Sequence, residues 1–330
     1  MIETPFTRLV GCTLPLQLAG MGSILSPELA AAVSNAGGLG QITIAGWPVE
    51  LAEQRLDRIR ALTARPFGVN LLIPFLDMSI LELAASRARV IDFFWGNPDP
   101  GLVRQVHGAD ALASWQVGSA SEALAAEAAG CNFIIAQGIE AGGHIRGTLA
   151  LLPLLGEVLD AVSVPVLAAG GIGNARSVAA ALAAGAAGVR VGTRFIAARE
   201  SNAHPDYVRA VIAAKASDSI RTTRFEVACP LCPSTHGVLR SAIEAADAFD
   251  GDVVGEVEIE AEHHDIRRFQ GMPPSSAVSG RIDAMACYAG QSVGSVKKVQ
   301  PAAEIVAELF DGAEALLERW SPTVTRVAVA

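Results

Sequence analysis

The sequence predicts an α/β chain folded as a (β/α)8 TIM barrel, with an inserted lid subdomain after the eighth strand. Three observations carry this expectation. Eight short apolar runs lie within the first 200 residues, and segments of helical period alternate with them. After about Ala198 the chain becomes more polar and the alternation stops.

The strands are expected at about Leu14–Leu18, Leu39–Thr43, Phe67–Leu72, Val90–Phe94, Ala111–Gln116, Phe133–Ala136, Val164–Ala168 and Gly188–Val191. Each is a short apolar run bounded by glycine, proline or polar residues, the form of a strand buried on both faces. Between them, Ser26 is placed to cap a helix over Pro27–Asn35, with Pro27 in its first turn. Pro48–Leu62 carries apolar residues at Val49, Leu51, Leu56, Ile59 and Leu62. Helices over Ala120–Ala129 and Ala175–Ala184 stop at Gly130 and Gly185, as glycine C-caps do. Eight parallel strands close a barrel. An open doubly wound sheet would leave edge strands, which carry more charge than these runs do.

Beyond residue 200, helical patterns recur near Pro205–Ala214 and Val238–Ala248. Asp250–Asp265 reads as an acidic, irregular stretch, followed by Gly271-Met272-Pro273-Pro274. This region is expected over the barrel mouth, and a closing helix over about Ala302–Arg319 on the barrel's outside. The expected division is a barrel over residues 1–199, a lid or substrate subdomain over 200–290, and a C-terminal segment over 291–330.

The composition supports a large core and argues against disorder: of 330 residues, 51% are hydrophobic and 18% charged. A net charge of −9 and a pI near 5.2 argue against a nucleic-acid partner, whose footprint is basic. They do not argue against an anionic cofactor, because backbone donors bind phosphate in acidic proteins too. Leu14–Ala19 is too short for the apolar core of a signal peptide, and no run reaches the roughly 18 apolar residues of a membrane span. The cytoplasm is the expected address, with the five cysteines as reduced thiols.

In a barrel, the site is built at the C-terminal ends of the strands. After the seventh predicted strand comes Ala169-Gly170-Gly171-Ile172-Gly173-Asn174 and a helix; after the eighth comes Gly192-Thr193-Arg194. Glycine turns let backbone N–H groups converge on an oxyanion, and a helix N-terminus adds its dipole. One such cluster could be only a tight turn. Two at consecutive strand ends, with the Thr193 hydroxyl, point to a phosphate. After the sixth strand comes Gln137-Gly138-Ile139-Glu140-Ala141-Gly142-Gly143-His144. Paired glycines allow a backbone to lie against a flat ring such as a flavin. A histidine there can move a proton near neutral pH, although an isolated one would more often be structural. Ala19-Gly20-Met21-Gly22 follows the first strand and could underlie the same ring. Asn70 and Gln116 offer amides of the kind that bind a pyrimidine edge or ribityl hydroxyls.

Cys229-Pro230-Leu231-Cys232 with His236 invites a zinc reading. It supplies only three ligands where a structural site takes four, and His263-His264 could complete it only through a long-range contact. No metal is expected.

Five segments resemble the nitronate monooxygenase (2-nitropropane dioxygenase) family of FMN-dependent barrel enzymes: Pro15-to-Met21, Ala31-to-Gly40, Gln137-to-His144, Leu167-to-Thr193 and Tyr288-to-Ser292. The resemblance implies an FMN-binding barrel with His144 as catalytic base and the FMN phosphate on the 170–173 and 192–193 loops. It also implies flavin contacts at Met21, Asn70, Gly143, Gln291 and Ser292. The chain departs from the pattern at Gln116, where some relatives carry lysine, and at Asn132, where aspartate is frequent. The implied reaction oxidises alkyl nitronates or nitroalkanes with O2 to a carbonyl compound and nitrite. The alternative is an FMN-dependent NAD(P)H reductase of an enoyl thioester or a quinone. Small-molecule substrates and O2 are the expected partners, with a homodimer as the expected assembly if there is one, and neither nucleic acid nor membrane.

Overall fold

The computed structural model describes residues 2–44, 46–259 and 262–320. The first six strands are β1 (Leu16–Leu18), β2 (Gly40–Thr43), β3 (Phe67–Leu72), β4 (Val90–Phe94), β5 (Leu112–Val117) and β6 (Phe133–Gln137). A short strand, β7 (Gly143–Ile145), leaves the sheet before β8 (Val166–Ala169) and β9 (Gly188–Val191) rejoin it. The eight sheet strands run in the order β1-β9-β8-β6-β5-β4-β3-β2, with every neighbour parallel. A parallel bridge between Gln17 and Leu39 joins the two ends into a nearly closed barrel. The expected strands appear with ends moved by at most two residues, and those at 67–72, 90–94 and 188–191 keep both bounds.

The outward residues of the strands, among them Val69, Ile91, Phe93 and Trp115, bury against the surrounding helices. Local signals set those helices. The Ser26 hydroxyl accepts from the Leu29 N–H, and Gly130 ends its helix in the left-handed region. A helix over Pro5–Val10, capped by Thr4, closes the N-terminal end of the barrel. Its Phe6 meets Phe133 edge to face at 5.2 Å, beside Val90 and Leu112 at the starts of β4 and β5. Access is therefore left to the opposite end, where the strands finish.

Inside the barrel the period-two alternation turns polar residues inward. Arg190 on β9 forms an ion pair with Asp92 on β4 at 2.6 Å, and both side chains are buried. Arg190 also donates to Gln116 Oε1 (2.6 Å) and Gln17 Oε1 (3.2 Å). Asp92 further accepts from Asn70 (2.8 Å), Ser114 (3.0 Å) and Gln41 (3.3 Å). A buried charge is tolerated when it is paired and hydrogen-bonded; here Arg190 Nε and Nη1 donate, and Nη2 faces the Asp92 carboxylate as an ion pair without an aligned hydrogen bond.

After β9 the chain forms two small antiparallel sheets. The first orders β10 (Ser219–Thr222), β11 (Thr235–Leu239) and β7 as β10-β11-β7. The second orders β12 (Val253–Ile259), β13 (Glu262–Arg267) and β14 (Val278–Gly280) as β13-β12-β14. Two expectations are corrected here. The helix expected from Val238 begins at Arg240, because Val238 and Leu239 belong to β11 and pair with Ile220 and Ser219. The acidic stretch Asp250–Asp265 is not irregular but contains the β12–β13 pairing. Its described carboxylates face water while Val254, Val257 and Ile266 are buried, so the few inward apolar positions were outnumbered by charge and showed no clean alternation. Glu260 and Ala261 of that stretch, and residues 321–330 of the C-terminal segment, lie outside the described residues.

The last helix, Ala302–Trp320, packs on the helices Ala175–Ala183 and Pro27–Asn35. Gly312 permits the approach, since a Cβ there would lie 2.6 Å from Ala175 Cβ. No helix among the described residues is long and apolar enough to cross a membrane.

Candidate active site

A cavity of about 540 Å³ opens at the C-terminal ends of the barrel strands. Residues 228–231 and 270–273, together with Tyr288 and Ser292, complete its wall. The structure brings most of the sequence-predicted residues to this one space: Ala19, Gly20, Met21, Gly22, Asn70, Gln116, Ala141, Gly142, Gly143, His144, Gly170, Gly171, Gly192, Thr193 and Ser292 all line it. Gly173 and Gln291 do not. A Cβ on Gly173 would meet Ser292 Cβ at 2.7 Å, so this glycine serves packing, and the Gln291 side chain is exposed.

The two glycines before His144 divide their work. Gly142 is pressed against the chain, with a Cβ there 2.6 Å from Gly290 N. Gly143, with φ of 70°, has nothing within 4 Å of its Cβ position, so its open face borders the cavity. Glu140 is taken up structurally, its carboxylate accepting from the Leu151 N–H at the start of the next helix. At the other end, Gly170 (φ 106°) and Gly171 (φ 68°) turn the chain from β8 towards the helix Ala175–Ala183, which Asn174 caps. Thr193 Oγ1 accepts from the Gly290 N–H, tying the β9 loop to the 289–290 segment.

His144 is held by strand pairing. Its β7 partner is His236 on β11, and the two rings meet edge to face with centroids 4.3 Å apart. Gln137 fixes the segment from the barrel side, donating to the His144 carbonyl (3.0 Å) and accepting from the Arg146 N–H (3.3 Å). Trp95 and Tyr288 add ring contacts at 5.7 and 5.8 Å. His144 Nε2 lies 3.2 Å from Cys229 Sγ. Burial first, and the neighbouring His236 second, lower the His144 pKa to about 3, so its imidazole is neutral and keeps a lone pair. Burial also lowers His236, with the Thr222 backbone and Glu226 acting against it.

The expectation of five free thiols is corrected by geometry. A turn in which the Cys232 N–H donates to the Cys229 carbonyl sets their Cα atoms 5.5 Å apart, and the two sulfurs form a disulfide. Cys12, Cys131 and Cys287 are free and buried. The pairing of β7 with β11 brings His144, rather than His263 or His264, to the cysteine turn; those two histidines are exposed on β13.

Sequence reasoning gave no role to Arg190 or Trp95, and named Gln137 and Tyr288 only as the first residues of their segments. Arg190 stood inside an apparently apolar strand, and its charge at a position that must face inward was the available signal. Trp95 and Tyr288 gain their significance from contacts distant in sequence, and Gln137 from the short β7 that follows its own strand.

A parallel barrel with a histidine loop and two glycine turns around one cavity is an arrangement suited to an oxidoreductase of the flavin-dependent barrel class. The chain belongs to the nitronate monooxygenase family, whose family model matches residues 3–80 and 76–312. Among curated proteins it is 34% identical over 279 residues to (3aS,4S,5R,7aS)-5-hydroxy-7a-methyl-1-oxo-octahydro-1H-indene-4-carboxyl-CoA dehydrogenase of Rhodococcus jostii, covering 84% of this chain and 77% of that protein. It is 29% identical over 296 residues to a probable nitronate monooxygenase of Staphylococcus aureus (strain MRSA252), covering 75% and 81%. Similar solved structures include FabK from Thermotoga maritima, with a TM-score of 0.79, 27% identity and coverage of 97% and 99%. Nitroalkane oxidase from Streptomyces ansochromogenes superposes with a TM-score of 0.76 and 27% identity, covering 96% and 100%.

Proposed function

We propose that this chain is an FMN-dependent oxidoreductase that oxidises alkyl nitronates with O2 to a carbonyl compound and nitrite. The observation that carries the reading is the single cavity onto which the His144 loop and both glycine turns open, in a chain of this family. The residues fit FMN. Gly143 leaves free space where a flat ring could lie, and Gly170 and Gly171 line the cavity beside a helix N-terminus suited to a phosphate. Bound FMN would supply the electron-accepting and oxygen-activating chemistry.

The chain's own residues bind, orient and handle the proton. The Gly170–Gly171 turn and Thr193 hold the anionic end, and Met21 and Gly143 border the ring. Trp95, Tyr288 and residues 270–273 keep water from the reacting end. His144 Nε2 accepts a proton when a neutral nitroalkane enters. A base with its pKa lowered to about 3 removes a carbon-bound proton with difficulty, so a nitronate that arrives already ionised suits this site better. An anion seated beside His144 would raise its pKa and help it hold a proton.

A second reading is a dehydrogenase acting on a CoA thioester, favoured by the 34% identity to the Rhodococcus protein. Anaerobic half-reactions separate the two. Purified protein is expected to release FMN on denaturation, and nitronate is expected to bleach the bound flavin faster than NADH, NADPH or a CoA thioester does. His144→Ala is expected to lower turnover of neutral nitroalkane by about 10²–10⁴-fold and to spare nitronate oxidation. Protein that takes up no flavin overturns the reading altogether. Bleaching by a thioester or pyridine nucleotide alone overturns the nitronate assignment.

A further inference from the structure

We propose that, once the Cys229–Cys232 disulfide is reduced, His144, Cys229, Cys232 and His236 form a four-ligand site for a zinc-class divalent cation in the cavity wall. The ligand atoms of these four residues all lie within 4.8 Å of one another. His144 Nε2 is 3.2 Å from Cys229 Sγ, and His236 Nε2 is 3.6 Å from Cys232 Sγ. Ligands at about 2.0–2.3 Å around a tetrahedral zinc sit at separations of this order. Cys229 and Cys232 come from one turn, and the two histidines from directly paired positions on β7 and β11. The turn thus supplies two ligands, and the β7–β11 pairing holds the other two beside it.

The chemistry of the set selects the ion. Two thiolates and two imidazoles suit a borderline-soft cation with no geometric demand of its own, and the coordination is closed. Two thiolate charges cancel those of a divalent cation, so the loaded site is neutral overall, as a half-buried wall requires. A dithiol reductant opens the disulfide by exchange, giving two cysteine thiols and the oxidised reductant. The cation then binds as the two thiols release two protons. The disulfide and the metal exclude each other, since both need the same sulfurs.

The inference does not rest on the flavin reading, because metal uptake is measured without substrate. It does bear on that reading through His144. Nε2 has one lone pair, available to a proton in the disulfide form and occupied in the metal-loaded form. Loading is therefore expected to suppress turnover of neutral nitroalkanes reversibly, with recovery on chelation.

The test uses the full chain, reduced anaerobically with a dithiol, freed of reductant and titrated with Co2+ or Zn2+. The expected result is one ion per chain by native mass spectrometry, with the intense visible d–d bands of tetrahedral, thiolate-bound Co2+. The disulfide form should bind none. Zn2+ should protect Cys229 and Cys232 from alkylation, read by peptide mass spectrometry on the unaltered protein. Cys229→Ser and His236→Ala, shown to be folded by circular dichroism, should each lose the bands. The proposal is overturned if the reduced protein takes up no ion, if Zn2+ leaves the alkylation of both cysteines unchanged, or if the bands survive in the Cys229→Ser/Cys232→Ser variant.

Discussion

Beneath the cavity, Arg190 sits among Asp92, Gln17 and Gln116, and Asp92 among Asn70, Ser114 and Gln41, so that each charge is met by a neighbour. In the cavity wall, His144, His236, Tyr288 and the cysteine pair are also polar and crowded. There, however, His236 Nδ1 and Tyr288 Oη are buried without a hydrogen-bond partner among the described residues, whereas Arg190 Nη2 in the floor, also without an aligned hydrogen bond, has the Asp92 carboxylate at 2.6 Å. The floor resembles a finished structural element and the wall an unfinished one. Buried polar groups that satisfy one another rigidify a fold, whereas those left over mark a place where something else is to bind. The two regions therefore predict opposite responses to the loss of a polar group.

The floor should show the largest effect. Asp92→Asn keeps the side-chain shape and removes the charge, leaving the Arg190 guanidinium buried and uncompensated. Removing one partner of a buried pair costs about 3–5 kcal/mol. That is a large share of the 5–15 kcal/mol typical of a folded protein. Urea unfolding of the variant should show a much lower midpoint with little change in slope. A loss below about 1 kcal/mol would mean that the floor is not the self-satisfied network described, and the contrast with the wall would fall.

Much of the barrel was legible in the sequence, and most of the chemistry of its floor and wall was not. Runs such as Val90–Phe94 announce a doubly buried strand, because a continuous apolar segment between turn residues has few other places to go. Asp92 and Arg190 were hidden inside such runs. Their inward direction depends on register, which no single strand displays. The glycine turns at 170–171 and 192 were legible because their spacing relative to the strand ends is local. The contact of His144 with His236 was not, since it depends on β7 leaving the barrel to pair with a strand far along the chain. The cysteine turn was visible as a motif but lacked its fourth neighbour for the same reason.

The turn after β8 offers an intermediate test. Gly170 sits at φ 106°, and a Cβ there would come within 2.9 Å of the Gly138 carbonyl oxygen. Gly170→Ala should cost about 1–3 kcal/mol of backbone strain. It should also lower the flavin content of the purified protein more than its melting temperature alone would explain, because the turn borders the cavity where the phosphate is proposed to sit. A variant that is destabilised yet fully loaded with flavin would assign Gly170 to packing, as Gly173 already is, and would move the anionic end elsewhere.

The wall should give the smallest effect. Tyr288 is buried, burial raises its pKa well above the usual phenol value, and its hydroxyl has no hydrogen-bond partner among the described residues. Its ring stacks on His236 at 5.7 Å, and its carbonyl accepts from the Tyr207 hydroxyl. Tyr288→Phe keeps the ring, the stacking and the carbonyl, and removes only the unpartnered oxygen. Taking away a buried polar atom that makes no bond is close to neutral or stabilising, so the change in unfolding free energy should stay within about 0.5 kcal/mol. If the hydroxyl is instead kept to meet a substrate in the cavity, the same substitution should raise KM while leaving the melting temperature unchanged. A destabilisation of about 2 kcal/mol or more would show that the oxygen already has a partner, and that the wall is as complete as the floor.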